Sequence, residues 1–153
     1  MTGATPSEQQ TLFDLRRWLL LLLLLGMLGT AADLLLLEHY QDASQIPPLV
    51  LVTIGLPIAG LAWAGGRNAV LALRIWMVLF LFAGGLGIVF HYNGSMEFQK
   101  EIDPSQHGWP LFVTIIRAKA PPALAPAAMF QLGLLGLAFT YRHPALSSPG
   151  GRT

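Results

Sequence analysis

The sequence contains no cysteine and few charges, 9 Lys and Arg against 8 Asp and Glu in 153 residues. Without thiols it has no disulfide, no thiolate metal site and no cysteine nucleophile. The spacings that carry common chemistries are missing as well. There is no P-loop, no dinucleotide fingerprint, no His-Glu-x-x-His zinc motif, and no Glu-x-x-His pair of the kind that builds metal sites inside helical bundles. Ser44, Ser95 and Ser105 lie in polar stretches with no base at a useful spacing, so an enzyme is not expected. A net charge of +1 leaves no basic footprint for nucleic acid.

What the chain has in quantity is hydrocarbon. It is 54% apolar and 11% charged, with seven consecutive leucines from Leu19 to Leu25, a make-up foreign to water-soluble domains. Four segments, near 18–37, 47–64, 70–91 and 121–141, stay apolar over the roughly 20 residues a helix needs to cross about 30 Å of hydrocarbon. Arg16 and Arg17 ahead of the leucines imitate a secretory leader, but the apolar run continues through Leu34 to Leu37, as a first span requires. The expected fold is an all-α integral membrane protein with four transmembrane helices, a single domain over 1–153. Its tails, 1–11 and 144–153, are rich in Ser, Thr, Pro and Gly and are expected to be flexible.

If the helices alternate, Arg16, Arg17, Arg67, Arg74 and Arg142 share one face of the membrane, while Lys100, Arg117 and Lys119 share the other. The excess of positive charge places both termini in the cytoplasm, consistent with a bacterial inner (plasma) membrane. Acidic residues are biased the opposite way: Asp33, Glu38, Asp42, Glu97, Glu101 and Asp103 gather at the outer end, with Glu8 and Asp14 inside.

The chain repeats itself. Arg16, Trp18, Gly26, Leu28 and Gly29 return 58 positions later as Arg74, Trp76, Gly84, Leu86 and Gly87, and the frame ends on Asp33 in the first copy and His91 in the second. A weaker match at an offset of 78 pairs Pro48 with Pro126, Thr53 with Gln131, Gly55 with Gly133 and Leu56 with Leu134. Together these describe two tandem helical hairpins that enter from the same side, a parallel internal repeat about an axis along the membrane normal. The first and third helices should face each other across that axis. An outer insertion near 93–120 distinguishes the second hairpin. Within it, Met96 to Asp103 reads as a short helix carrying Glu97 and Glu101 on one face. Trp109 to Ile116 reads as a short amphipathic helix lying in the outer interface.

Gly26, Gly29 and Asp33 fall on one face at 100° per residue, as do Gly84, Gly87 and His91. The glycines are expected to be packing notches. An intramembrane carboxylate costs on the order of 2.5–3.5 kcal/mol, so Asp33 needs a partner, and His91 at matched depth is the expected one. Around this core pair the candidate site takes in Glu38, His39, Glu97 and Glu101, with Asn93 nearby. Glu38 and His39 turn away from the Asp33 face and join it only if the first helix unwinds at Glu38.

Imidazole with carboxylate suits a divalent metal ion such as Zn, Fe, Mn or Cu. The leading reading is nonetheless an accessory or scaffolding subunit of a larger membrane complex, with the polar site at its extracytoplasmic mouth. Trp63, Phe80, Phe82, Phe90 and Phe139 could offer a docking surface or face lipid. A self-contained metal-binding membrane protein is the alternative. Two further readings are b-type haem held by His39 and His91, and a proton or ion pathway through Thr53 and Gln131. The partners expected are the lipid bilayer and either a membrane protein or a second copy of the chain, and not nucleic acid.

Overall fold

A computed structural model of the chain describes residues 5–38, 40–118 and 124–147, with the backbone alone at Ser44, Leu124 and Ala125. Among the described residues 84% are helical and no strand occurs. Among these residues five helices follow in order: α1 (Pro6–Leu36), α2 (Ile46–Ala62), α3 (Arg67–Ile102), α4 (Gly108–Ile116) and α5 (Leu124–Thr140). Short 3-10 turns lie at Ala43–Gln45 and Pro144–Leu146. Two of the helices, α1 and α3, are long and apolar enough to cross a membrane.

The ends of these helices follow from local chemistry. α1 starts at a capping box, in which the Thr5 hydroxyl accepts from Glu8 N at 3.4 Å and the Glu8 carboxylate accepts from Thr5 N at 2.6 Å, with Pro6 in the first turn. The bond from Thr5 N, with a second from the Thr5 hydroxyl at 2.9 Å, holds the Glu8 carboxyl below its ordinary pKa. The segment 6–11 is therefore helical. Residues 1–4 and 148–153 lie outside the described residues. At the other end α1 stops at Leu36, and Glu38 takes a φ of 51°, the left-handed conformation that commonly terminates a helix. Gln45 then folds back, its side-chain oxygen accepting from Gln41 N at 3.1 Å and Asp42 N at 3.3 Å. α2 turns tightly into α3 through Gly65, whose φ of 71° suits glycine.

α3 runs unbroken for 36 residues, about 54 Å at 1.5 Å per residue. It absorbs the separate short helix expected at Met96–Asp103, because nothing between His91 and Ile102 breaks it before Pro104. The amphipathic helix beyond that break is present as α4. It buries Leu111 and Ile115 and exposes Trp109, with Phe112 stacked on Trp109 at 5.1 Å and near Tyr92 of α3 at 6.1 Å.

α1, α2, α3 and α5 form a bundle in which α1 packs on α2 and α5, and α3 packs on the same two neighbours. α1 and α3 thus stand on the diagonal, as the repeat predicts. The core is a continuous layer of Leu20, Leu23 and Met27 from α1, Val52 and Ala59 from α2, Leu73, Met77 and Phe80 from α3, and Met129, Leu132 and Phe139 from α5. Its tightest seam joins α3 to α5. A Cβ on Gly84 would lie 2.7 Å from Phe130 N and 2.9 Å from Pro126 O, and one on Gly133 would lie 2.9 Å from Met77 O. These glycines let two backbones approach to contact.

Candidate functional site

The buried faces do not follow the sequence repeat in phase. Leu20, Leu23 and Met27 on α1 correspond in burial to Met77, Phe80 and Gly84 on α3, 57 positions later. Val52, Gly55, Ala59 and Ala62 on α2 correspond likewise to Met129, Leu132, Gly136 and Phe139 on α5, 77 positions later. Both offsets are one less than those of the residue identities, and one residue is about 100° around a helix. Matched residues therefore point differently. Trp76 donates its Nε1 hydrogen to Leu51 O at 2.9 Å, whereas its counterpart Trp18 is exposed. Gly87 lies against Pro126, with Cβ space closed at 3.0 Å, whereas Gly29 faces nothing within 4 Å. Of the four expected notches, Gly26, Gly84 and Gly87 serve as such, all toward α5, and Gly29 does not.

Asp33 and His91 sit on diagonal helices and both are exposed. The Asp33 carboxylate takes part in no hydrogen bond or ion pair among the described residues. Glu38 lies beyond the end of α1, as unwinding there required, but its carboxylate accepts from Gln41 Nε2 at 2.8 Å. Glu97 and Glu101 are exposed on the last turns of α3. His39 lies outside the described residues, as do Lys119, Pro121 and Pro122. Among the described residues no three His, Asp or Glu side chains come together to hold a metal ion. Thr53 and Gln131 are both exposed and do not line an interior path. Of the aromatic residues considered for docking, Phe80 and Phe139 belong to the core, and Trp63, Phe82 and Phe90 are exposed.

The built polar arrangement is at the opposite end, where α1 and α3 begin and α2 and α5 finish. The last carbonyls of a helix have no partner within it. The carbonyl of Thr140, the last residue of α5, and that of Arg142, two residues beyond it, each receive a guanidinium group. Arg74 donates from Nη2 to Thr140 O and from Nε to Thr140 Oγ1 at 3.4 Å, and Arg16 donates from Nη2 to Arg142 O at 3.1 Å. Thr140 is fully buried, and its hydroxyl in turn donates to Leu137 O at 3.1 Å. Positive charge at a helix C-terminus also complements its dipole. Arg142 itself has a φ of 46°, and this left-handed residue turns the chain so that its carbonyl meets Arg16.

His143 follows. Its Nδ1 accepts from Ala145 N at 3.2 Å, which requires an unprotonated nitrogen there. Partial burial, with Arg16 and Arg74 nearby, pushes the imidazole below its ordinary value of 6.5. Phe139 packs on the ring at 5.2 Å.

A cavity of about 910 Å³ opens between these helix ends. Phe13, Leu20, Ala62 and Phe139 supply apolar walls, and Arg16, Arg17, Arg142 and His143 supply polar ones. Arg17 lies over the Trp63 ring, 5.3 Å from its centre. Among the described residues no Asp or Glu lines the cavity. The arrangement can therefore hold an anion beside hydrocarbon. Arg16, Arg17, Arg74 and Arg142 are legible in the sequence as topology markers only. The missed signal was Thr140-Tyr141-Arg142-His143, a polar run closing an apolar helix.

No protein-family model matches the chain, and no similar curated protein or solved structure was found.

Proposed function

We propose that this chain is a four-span integral membrane protein acting as an accessory or scaffolding subunit of a larger membrane assembly, with α1, α2, α3 and α5 as its spans. The observation that carries the membrane reading is where its apolar residues lie. Only 17% of the most apolar window of α1 and 28% of that of α3 is buried within the fold. A soluble core helix of such composition would be mostly covered, so these faces need an apolar solvent. α2 and α5, each of 17 residues, are close to the shortest helix that crosses a bilayer. Trp63 and Tyr141 near one end, and Tyr40, Tyr92 and Trp109 near the other, suit the two headgroup belts.

The arginine-rich end is assigned to the cytoplasm, since Arg16, Arg17, Arg67, Arg74 and Arg142 all cluster there. The absence of cysteine makes this directly testable. Thr11→Cys and Lys100→Cys variants, treated in intact cells with a membrane-impermeant maleimide, should label at Lys100→Cys alone. Recovery of the chain in the soluble fraction, or equal labelling of both sites, would reject the assignment.

The accessory role is supported by what surrounds the bundle. Large apolar side chains cover its outside, and Asp33 is exposed beside the open face of Gly29. Native electrophoresis and crosslinking in mild detergent should place the chain in a larger complex. A monodisperse monomer carrying stoichiometric metal would replace this reading with that of a self-contained metal protein.

A further inference from the structure

We infer that the cavity between the cytoplasmic ends of α1, α2 and α5 binds the headgroup of an anionic phospholipid of the inner leaflet, a reading that rests on the membrane placement proposed above. Three features of the cavity select this occupant. The first is charge: three arginines and one histidine line it, uncompensated by any carboxylate among the described residues. Of these, Arg16 is already engaged with the Arg142 carbonyl, while the Arg17 and Arg142 guanidinium groups stack on Trp63 and Tyr141 and keep N–H donors to offer. Guanidinium donors match phosphate oxygens in both charge and geometry.

The second feature is the floor. Leu20 and Phe139 are core residues, so the cavity descends from a charged rim to the hydrocarbon interior of the bundle. A free inorganic anion has no use for those walls, whereas a lipid can place its phosphate at the rim and its glycerol and upper chain against them. The third is depth. Trp63, which bears Arg17, stands just beyond the C-terminus of α2, where an interfacial tryptophan belongs. Basic pockets at this level between spanning helices meet the anionic lipids concentrated in the cytoplasmic leaflet. His143 adds a directional contact. With Nδ1 occupied by Ala145 N–H, the neutral ring carries its proton on Nε2 and can donate it.

The test uses the full chain extracted from membranes in mild detergent. Native mass spectrometry would follow titration with phosphatidylglycerol or phosphatidylcholine of the same acyl chains, with and without excess inorganic phosphate. Phosphatidylglycerol should bind about tenfold more tightly or better. The double variant Arg17→Gln/Arg142→Gln, which leaves Arg16 and Arg74 on the helix end, should lose about 30-fold of that affinity, near fivefold for each arginine removed. Arg67→Gln, an exposed arginine at the same end but outside the cavity, should change nothing.

Equal binding of the two lipids would overturn the inference, and so would a loss in Arg67→Gln as large as in the double variant. Complete displacement of the lipid by inorganic phosphate would overturn it in favour of a free-anion site. A chain never recovered from membranes would instead overturn the membrane placement. Recovery from membranes without lipid selectivity would leave that placement standing and remove this inference alone.

Discussion

Arg16 and Arg74 stand at matched places in the two halves of the sequence repeat, on helices that face each other diagonally, and both guanidinium groups close on the C-terminal end of α5. One helix end thereby ties three helices together. Arg74 reaches a part-buried site with two acceptors, whereas the Arg16 contact is exposed and single. Charge-assisted hydrogen bonds contribute about 1.5–3 kcal/mol, and an exposed one contributes toward the low end of the roughly 0.5–1.5 kcal/mol range for ordinary bonds. Arg74→Gln should therefore lower thermal stability in detergent distinctly more than Arg16→Gln. Equal losses, or a larger one from Arg16→Gln, would mean that the helix end is not held as described.

Gly84 and Gly29 give the sharpest contrast between a glycine that is used and one that is not. A methyl group at Gly84 would meet the Phe130 and Pro126 backbones, which cannot swing aside as a side-chain tip can. Gly84→Ala should cost about 1–3 kcal/mol through forced separation of α3 from α5. Gly29→Ala meets open space, and alanine is favoured over glycine in a helix by about 1 kcal/mol, so that variant should be neutral or stabilised. Thermal unfolding of the two variants side by side decides it, and a stable Gly84→Ala would refute the close seam.

These contrasts also show what could be read from residues alone. The two long apolar helices α1 and α3, the break at Pro104, the amphipathic helix expected from Trp109 to Ile116 and the diagonal placement of α1 and α3 were legible, because hydropathy and chain alternation determine them. The rotation of the helices was not. In a bilayer a leucine facing lipid is as well solvated as one in the core, so apolar periodicity does not distinguish inside from outside. Identities at 58 and 78 therefore suggested faces that the packing moves by one residue. Thr5-Pro6-Ser7-Glu8 was a readable capping box, hidden by a composition that resembles a loose tail. The arginine cavity needed three helix ends at once, and no local pattern contains them.

Trp18 and Trp76 test the one-residue phase directly. Trp76→Phe deletes the donor to Leu51 O and should cost about 1 kcal/mol, leaving a carbonyl of α2 with one partner fewer. Trp18 is exposed, and Trp18→Phe should leave stability within error. In a Trp63→Phe/Trp109→Phe background, quenching by a lipid-phase brominated chain should affect emission from Trp18, recorded with Trp76→Phe, more strongly than emission from Trp76, recorded with Trp18→Phe. The reverse order would place the repeat back in its sequence register.

His143 should make the arginine-rich end of the bundle sensitive to mild acid. Its ring is held neutral by partial burial, by Arg16 and Arg74, and by an Nδ1 that must stay unprotonated to accept from Ala145 N. The folded pKa thus lies below the ordinary 6.5, so the unfolded chain takes up a proton first as pH falls. Above 6.5 the residue makes stability no different with pH. Below it, stability declines, and the decline levels off once the folded ring also protonates. The carboxyls with resolved shifts, Glu8 and Asp103, are lowered from 4.5 and 3.8 and so contribute only under more acidic conditions. Between pH 7 and pH 5 the melting temperature should therefore fall, and His143→Asn should flatten the fall, because asparagine can accept from the same amide without titrating. An unchanged slope in that variant would assign the acid sensitivity elsewhere. Bound phosphatidylglycerol should also flatten the slope in the native chain, since a phosphate beside the ring favours its protonated form and raises the folded pKa toward that of the unfolded chain.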